Sequence, residues 1–210
     1  MRSGPDLFRG NPDTWLPRVI VATDGKAPLD LPLSLYSARL LRDLDLPALV
    51  AAATSARPPL AVDIDTVLGL NSDAAGVDFV TGELGLGVIA TRRASAAAAA
   101  AERGCLGLFH VFAFDSTGLY RALEAHPRRA GVGTMISPGP VITHMLPEDL
   151  DSLPRPVVAY GLIATAEIAA ALLARAEAVV VSPTTAARLP WGLLGDSPRP
   201  AAGPRPAIGS

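Results

Sequence analysis

Two aspartates separated by one residue are the first candidates for chemistry in this chain. Asp63 and Asp65 lie in the apolar segment Leu60–Thr66, which a glycine at position 69 follows. Alternate side chains of a β-strand share a face, so both carboxylates are predicted to lie on one side of a strand. Carboxylates buried in this way are costly unless they bind something. Paired carboxylates suit Mg²⁺, and they also accept hydrogen bonds from ligand hydroxyls.

Arginine, glycine and serine follow other apolar segments. These residue types favour binding of a hydroxylated ligand over binding of Mg²⁺. Arg92 would repel a cation, so no metal site is predicted. Asp65 and Arg92 are candidates to bind the hydroxyls and the phosphate of a small polyol phosphate, or to form a structural ion pair with each other. Gly139, Gly161 and Ser182 are candidates for a phosphate site or for ordinary turn residues.

A shared site needs secondary-structure elements whose ends lie close together. The chain alternates eight apolar segments with eight segments of helical period. The predicted strands are Arg18–Thr23, Tyr36–Leu41, Leu60–Thr66, Gly87–Thr91, Leu106–Phe112, Gly131–Ile136, Pro156–Tyr160 and Ala178–Val181. The predicted helices are Pro28–Leu33, Leu46–Ala56, Ser72–Gly82, Ala94–Arg103, Ser116–Ala125, Val141–Asp149, Ala166–Arg175 and Thr184–Leu189.

Eight strand–helix pairs in succession predict a small α/β protein with a (β/α)₈ barrel, in which sites form at the carboxyl ends of the strands. A single domain is expected over residues 17–192, with poorly ordered tails at residues 1–16 and 193–210 that are rich in Pro and Gly. The alternative is an open doubly wound sheet. Its glycine-rich phosphate turn is missing after the first predicted strand, where the sequence reads Thr23-Asp-Gly-Lys26.

Composition excludes several classes of protein. The net charge is −2, so no global positive field indicates a nucleic-acid or membrane partner. Cys105 is the only cysteine, which excludes an internal disulfide and a thiolate metal cluster. The chain has no signal-peptide core and no apolar run of the ~20 residues that a membrane span needs. A cytoplasmic protein without a membrane partner is therefore expected.

Several ordered segments resemble the glycerol-3-phosphate-responsive antiterminator family, the regulators of the glycerol uptake operon. The resemblance covers residues 17 to 191 and rests on the order of its segments. They are Pro17-Arg-Val-Ile-Val-Ala, Val62-Asp-Ile-Asp, Gly69-Leu-Asn-Ser-Asp73, Val88-Ile-Ala-Thr-Arg92, Phe112-Ala-Phe-Asp-Ser116, Pro138-Gly139, Ala159-Tyr-Gly-Leu-Ile163, and Ala178-Val-Val-Val-Ser182 running to Trp191.

The resemblance implies a barrel that binds glycerol 3-phosphate as effector, then binds the leader of glycerol-catabolic messenger RNA and prevents a terminator hairpin from forming. It implies no catalysis and no cofactor. The expected phosphate cradle maps to Gly161–Ile163 and Ser182–Thr184, with Gly139 alongside. We therefore name Asp65, Arg92, Gly139, Gly161 and Ser182 as ligand-binding candidates.

The sequence differs from the family pattern at some of these places. Asp63 stands where the family has His, His110 where it has Arg, and Tyr160 where it has Gly. Histidine lacks the permanent charge of arginine, and Pro183 removes an amide donor from the last loop, so a weaker anion site is expected. A degenerate sensor that keeps the barrel but not the phosphate affinity is one alternative. An isomerase- or lyase-type enzyme, with Asp65 as general base and Arg92 as anion clamp, is another.

The RNA-binding residues are a weaker prediction. Arginines of the fourth and fifth strand–helix units would lie on neighbouring surface and could bind RNA phosphates, or they form an ordinary solvated surface. These arginines are Arg93, Arg103, Arg121, Arg128 and Arg129. Homo-oligomerisation is left open by the sequence.

Overall fold

The computed structural model describes residues 18–24, 38–55 and 60–189, and in them eight parallel strands close into a barrel in chain order. The strands are β1 Val19–Thr23, β2 Ala38–Leu41, β3 Leu60–Asp63, β4 Val88–Thr91, β5 Leu106–Phe112, β6 Val132–Ser137, β7 Val157–Tyr160 and β8 Ala178–Val181. The α-helices are α1 Leu46–Ser55, α2 Ala74–Asp78, α3 Ala94–Glu102, α4 Ser116–Glu124, α5 Pro147–Asp151, α6 Ala166–Leu173 and α7 Pro183–Ala186.

Alternate side chains of each strand point to opposite faces, so the core has one part inside the barrel and another between the strands and the helices. In β5, Leu106 and Leu108 pack inside the barrel with residues such as Met135 of β6. Phe109 and Val111 of the same strand belong to an outer cluster that also includes helix residues. Because strands of a parallel barrel are covered on both faces, most strand residues here are apolar.

The predicted (β/α)₈ barrel is confirmed, and the open doubly wound sheet is excluded, because β8 pairs with β1. The first predicted helix, Pro28–Leu33, and both predicted tails lie outside the described residues. Within the part of the chain that the structure describes, none of the helices combines the length and the apolar character that crossing a membrane requires.

The third strand is shorter than predicted. It ends at Asp63, and Ile64–Thr66 form a 3-10 turn rather than the last residues of a strand. The hydroxyl of Thr66 donates to the carbonyl of Asp63 at 3.0 Å, a local hydrogen bond that competes with strand pairing. The prediction that Asp63 and Asp65 share a strand face is therefore wrong.

The segment predicted as one helix over Val141–Asp149 is divided into two elements. A 3-10 helix covers Gly139–His144, and α5 begins only at Pro147. Proline disfavours helical geometry in the residue before it, and Leu146 accordingly has an extended ψ of 146°. Gly139 begins the 3-10 helix two residues after the end of β6, at the carboxyl end of the barrel.

Two other helices begin at a different residue from the one predicted. The helix predicted over Ser72–Gly82 begins at Ala74, because the Asp73 side chain accepts from the amide of Gly76 and caps it, and it continues as a π-helical turn over Phe79–Glu83. The last helix begins at Pro183, one residue earlier than predicted.

Candidate functional site

Five polar or aromatic side chains form the top layer of the barrel interior. Residues two positions earlier on each strand belong to the inner cluster, so alternation directs these five inward at the carboxyl ends of β2, β3, β5, β6 and β7. They are Arg42, Asp63, His110, Ser137 and Tyr160. Arg42 and Ser137 are not among the site residues predicted from the sequence, although the period-two pattern of their strands indicates their direction.

Asp65 and Arg92, two of the sequence-predicted ligand residues, contact each other. One carboxylate oxygen of Asp65 accepts from the Thr91 hydroxyl at 2.9 Å, and the other accepts from the Arg92 amide at 2.6 Å and from Arg92 Nε at 3.3 Å. The Asp65 side chain is only 5% exposed, whereas that of Arg92 is 58% exposed. The contact therefore joins the end of β3 to the end of β4 and holds the Arg92 side chain at the surface.

The same hydrogen bonds set the protonation of Asp65. Burial raises the pKa of this carboxyl, but hydrogen bonds from Ser72, the Arg92 amide and Thr91 outweigh burial, so the pKa lies below its ordinary value. A carboxylate held ionised by several donors accepts a further proton poorly. This environment disfavours Asp65 as a general base.

Asp63 has the opposite environment, although it lies only two residues away. Its side chain is buried, and burial together with the neighbouring charge of Asp65 raises its pKa to about 6, against the opposing effect of Arg42 and Arg92. The two aspartates are thus a carboxyl with a raised pKa inside the barrel and an ionised carboxylate in the loop. Within the described ranges, no three His, Cys, Asp or Glu side chains converge as metal ligands.

His110 is neutral at pH 7. Burial, followed by the charge of Arg92, lowers its pKa to about 4, and its Nε2 atom lies 2.8 Å from the Ser137 hydroxyl oxygen. Its ring stacks on Phe112 with centroids 4.4 Å apart and meets the edge of Tyr160 at 5.4 Å. His110 therefore fills space and adds no positive charge to the barrel mouth.

A cleft of about 480 Å³ opens at the carboxyl ends of β1, β2, β7 and β8. Gly161 and Ser182 both line it, as the sequence predicts for a phosphate site, and Arg42 and Tyr160 line it as well. The cleft is not lined by Asp65 or Arg92, which belong to the β3 and β4 side of the mouth. The structure therefore places the predicted ligand residues in two groups rather than around a single cleft.

Gly139 supports the wall of this cleft from behind. Its amide donates to the carbonyl of Gly161 at 3.1 Å, and a Cβ atom at this position would lie 3.2 Å from the Tyr160 amide nitrogen. Gly161 and Leu162 both have positive φ, 76° and 56°, so the backbone turns sharply where the cleft begins. The close approach of the two glycines fixes this turn.

The cleft combines a cation with acidic and hydroxyl groups. The Arg42 guanidinium carbon lies 5.5 Å from the Tyr160 ring centroid, and Arg42 Nε lies 2.7 Å from a carboxylate oxygen of Asp43. Asp24 also lines the cleft. The Ser182 hydroxyl caps α7 by accepting from the Thr185 amide at 3.1 Å. These groups can bind an anion at one end of a ligand and hydroxyls at the other.

The arginines predicted to form an RNA surface lie on several elements. Arg93 and Arg103 flank opposite ends of the nine-residue helix α3, which spans about 14 Å. Arg103 pairs with Asp78, and Arg129 pairs with Glu102 at 2.7 Å. Arg121 lies on α4, and Arg128 lies in the loop before β6. Arg93 is the member of this set at the carboxyl end of the barrel, beside Arg92.

Solved structures share this fold. The glycerol uptake operon antiterminator regulatory protein of Listeria monocytogenes is 22% identical with a TM-score of 0.64, and the match covers 79% of this chain and 91% of that one. A glycerol uptake operon antiterminator-related protein of Thermotoga maritima is 22% identical with a TM-score of 0.65, covering 78% and 94%. Phosphoribosylanthranilate isomerase of Thermotoga maritima is 15% identical with a TM-score of 0.56, covering 80% and 87%.

At these identities the structural likeness shows the fold alone. No curated protein sequence matches the chain. The sequence profile of the family described as glycerol-3-phosphate responsive antiterminator, however, matches residues 38–187, from β2 to the end of α7. This range holds seven of the eight strands and most of the chain. The chain therefore belongs to the glycerol-3-phosphate responsive antiterminator family, whose general role is regulatory.

Proposed function

We propose that this protein binds glycerol 3-phosphate and, in response, binds the leader of glycerol-catabolic messenger RNA and prevents its terminator hairpin from forming. The family match over residues 38–187 carries this proposal. The protein acts as a regulator without turnover, and its place of action is the cytoplasm, where the transcript is made. Effector and RNA binding are coupled because the effector prefers the RNA-competent state.

The effector binds in the cleft at the ends of β1, β2, β7 and β8. The phosphate contacts the Gly161 backbone and the Arg42 guanidinium, while Ser182 orients it and Gly139 holds the turn. The charged guanidinium matters most here because a charge-assisted hydrogen bond is roughly twice as strong as a neutral one. The glycerol hydroxyls face the acidic lining of the cleft, whose carboxylates accept hydrogen bonds.

Arg92 and Asp65 act from the neighbouring strands. The exposed Arg92 side chain adds positive potential at the mouth, and Asp65 orients it through the 3.3 Å contact with Nε. The resemblance implies an arginine where this chain has His110. The proposed site therefore has one guanidinium fewer, and its affinity for phosphate depends more strongly on Arg42. The degenerate-sensor alternative instead expects no phosphate affinity at all.

The enzyme alternative has less support. It requires Asp65 as general base, but the carboxylate of Asp65 already accepts hydrogen bonds from Thr91 and from the Arg92 amide. The raised pKa of Asp63 suits proton transfer better, yet Asp63 is buried and is not among the residues that line the cleft. Similarity to an isomerase of 15% identity supports the barrel and no reaction.

Isothermal titration calorimetry with glycerol 3-phosphate, glycerol and inorganic phosphate tests the effector. We expect saturable binding of glycerol 3-phosphate by the wild-type chain. At 100 times its dissociation constant the effector should raise the free energy of unfolding by about 2.7 kcal/mol. Arg42→Met should weaken binding at least tenfold, because the guanidinium contacts the phosphate.

Arg188→Met is the matched control, since Arg188 is exposed on the last turn of the chain's described part and does not line the cleft. This variant should bind as the wild type does. A wild-type chain that shows neither heat of binding nor thermal stabilisation with glycerol 3-phosphate would contradict the proposed effector and favour the degenerate sensor.

A further inference from the structure

Four rings form a row from the cleft to the surface. Tyr160 lines the cleft and meets the ring of His110 at 5.4 Å. His110 stacks on Phe112 at 4.4 Å, and Phe112 stacks on Phe114 at 5.6 Å with an angle of 10° between the ring planes. The row therefore begins inside the barrel and ends in two nearly parallel phenyl rings.

The outer end of the row is unusually exposed for apolar groups. Phe114 is 81% exposed and Phe112 is 37% exposed. The alternation of β5 continues through both residues, and the intervening Val111 and Ala113 are buried in the outer core. This anchoring fixes the backbone that carries the rings, so the pair is presented to solvent in a defined orientation. Exposed apolar surface held in this way commonly marks a binding site.

Two arginines follow the strand next to β5. The register of β4 and β5 pairs Thr91 with Phe109, so Arg92 and Arg93, which follow Thr91, leave the barrel beside the end of β5. Both arginines are exposed, and Arg92 contacts Asp65 at 3.3 Å. The adjacent carboxylate of Asp115 accepts from the Gly118 amide and caps α4. The carboxyl ends of β4 and β5 thus carry two exposed arginines and two exposed phenyl rings.

We propose that Phe112 and Phe114 form a base-stacking platform for unpaired RNA, with Arg92 and Arg93 binding the adjacent phosphates. This inference rests on the proposed function and names the surface that contacts the leader. Single-stranded bases stack on aromatic side chains whatever their identity, and arginines bind the backbone. Neither interaction requires Arg103, which lies at the opposite end of α3 from Arg93.

An RNA segment suits this surface better than a protein partner does. A base is a flat ring that can continue the stack on Phe114, and its phosphates complement the two arginines. The row of rings also connects the platform with the effector cleft, because the row begins at Tyr160. A bound nucleotide would therefore lie at the same end of the barrel as the effector.

Fluorescence anisotropy with the labelled, terminator-bearing leader of a glycerol-catabolic transcript tests the platform in the full chain with saturating glycerol 3-phosphate. Phe114→Ala should weaken RNA binding on the order of tenfold. Phe114→Trp should retain binding, and its added tryptophan emission, measured against wild type, should be quenched by the RNA. Tyr120→Ala removes another exposed aromatic ring, on α4, and should bind as wild type does.

Salt dependence separates stacking from charge. The slope of log affinity against log salt should be unchanged in Phe114→Ala, and it should be shallower by about 0.7 per lost phosphate contact in Arg92→Ala and Arg93→Ala. A wild-type chain that binds the leader while Phe114→Ala binds equally well overturns the platform and leaves the proposed function intact. A wild-type chain that binds no leader RNA overturns both.

Discussion

The rings of His110 and Tyr160 meet edge to face, with centroids 5.4 Å apart and planes inclined by 64°. The resemblance to the family implies arginine at position 110 and glycine at position 160, and the structure places the two residues present there in contact. Tyr160 occupies space that a glycine would leave open, while the neutral His110 adds no guanidinium beside Arg42 and Arg92. Each ring therefore limits the space of the other at the barrel mouth.

This contact predicts that the two positions affect effector affinity jointly. The double variant His110→Arg/Tyr160→Gly should bind glycerol 3-phosphate about tenfold more tightly than wild type, since it restores a cation and frees backbone beside the phosphate. His110→Arg alone should gain much less, because Tyr160 occupies the space that the longer side chain needs. Calorimetry of both single variants and the double variant completes a double-mutant cycle. Additive effects of the two changes would contradict this coupling between positions 110 and 160.

Asp63→Asn should stabilise the protein at neutral pH. The pKa of Asp63 is about 6 in the folded chain against an ordinary 3.8, so the folded state retains a proton that the unfolded state loses in this window. Ionisation then lowers stability as pH rises from about 4 to 6. We expect Asn to raise the free energy of unfolding by about 2 kcal/mol at pH 7 and by little at pH 4. Urea unfolding across this pH range measures the difference.

His110 contributes to the same pH profile with the opposite sign. Its folded pKa of about 4 lies below the ordinary 6.5, so the unfolded state binds more protons between these values and stability falls as pH falls through them. The comparison of Asp63→Asn with wild type at each pH cancels this contribution, because both chains contain His110. If the difference in free energy of unfolding between Asp63→Asn and wild type does not grow from pH 4 to pH 7, the raised pKa of a buried Asp63 carboxyl is refuted.

Asp65→Asn should destabilise the protein, unlike the change at Asp63. Hydrogen bonds from Ser72, the Arg92 amide and Thr91 lower the pKa of Asp65 in the folded chain. The stability that they give the fold is therefore present above the ordinary pKa of aspartate, and it is lost as the pH falls through the lower pKa of the folded state. We expect a loss of about 1 to 3 kcal/mol at pH 7 that shrinks below about pH 4. Chemical denaturation at both pH values checks this. Thr91→Val should then lower the free energy of unfolding less in the Asp65→Asn background than in the wild type.

Gly139→Ala tests the wall of the cleft. A methyl group at this position meets the Tyr160 amide nitrogen at 3.2 Å and the Gly161 carbonyl oxygen at 3.3 Å, so the backbone must shift and the hydrogen bond between the two glycines weakens. We expect a loss of about 1 to 2 kcal/mol in stability, together with weaker effector binding. Gly82→Ala is the matched control, since a Cβ there meets nothing within 4 Å. Equal behaviour of the two variants would remove Gly139 from the account.

The barrel could be predicted from the sequence, because hydrophobic periodicity along eight segments determines it. The environment of the two aspartates could not, because it depends on where β3 ends. A strand continuing to Thr66 places both carboxylates on one face, whereas the 3-10 turn after Asp63 separates them. Asp65, and not Asp63, is a ligand-binding candidate from the sequence, whereas the structure directs the Asp63 side chain into the barrel interior.

The row of rings shows a second limit of sequence reasoning. His110, Phe112 and Phe114 alternate along β5 and beyond it, which is a pattern the sequence displays. Their exposure depends on where the strand leaves the barrel and on the buried neighbours Val111 and Ala113, which only the folded chain defines. The separation of Arg93 and Arg103, by contrast, follows from the helix that the sequence predicts between them.

Single-round transcription of a glycerol-catabolic leader through its terminator measures antitermination itself. We predict that the purified protein raises read-through several-fold when glycerol 3-phosphate is present and much less when it is absent, and that Arg42→Met requires more effector for the same response. Read-through that glycerol 3-phosphate leaves unchanged, at protein concentrations that saturate the leader, would contradict it.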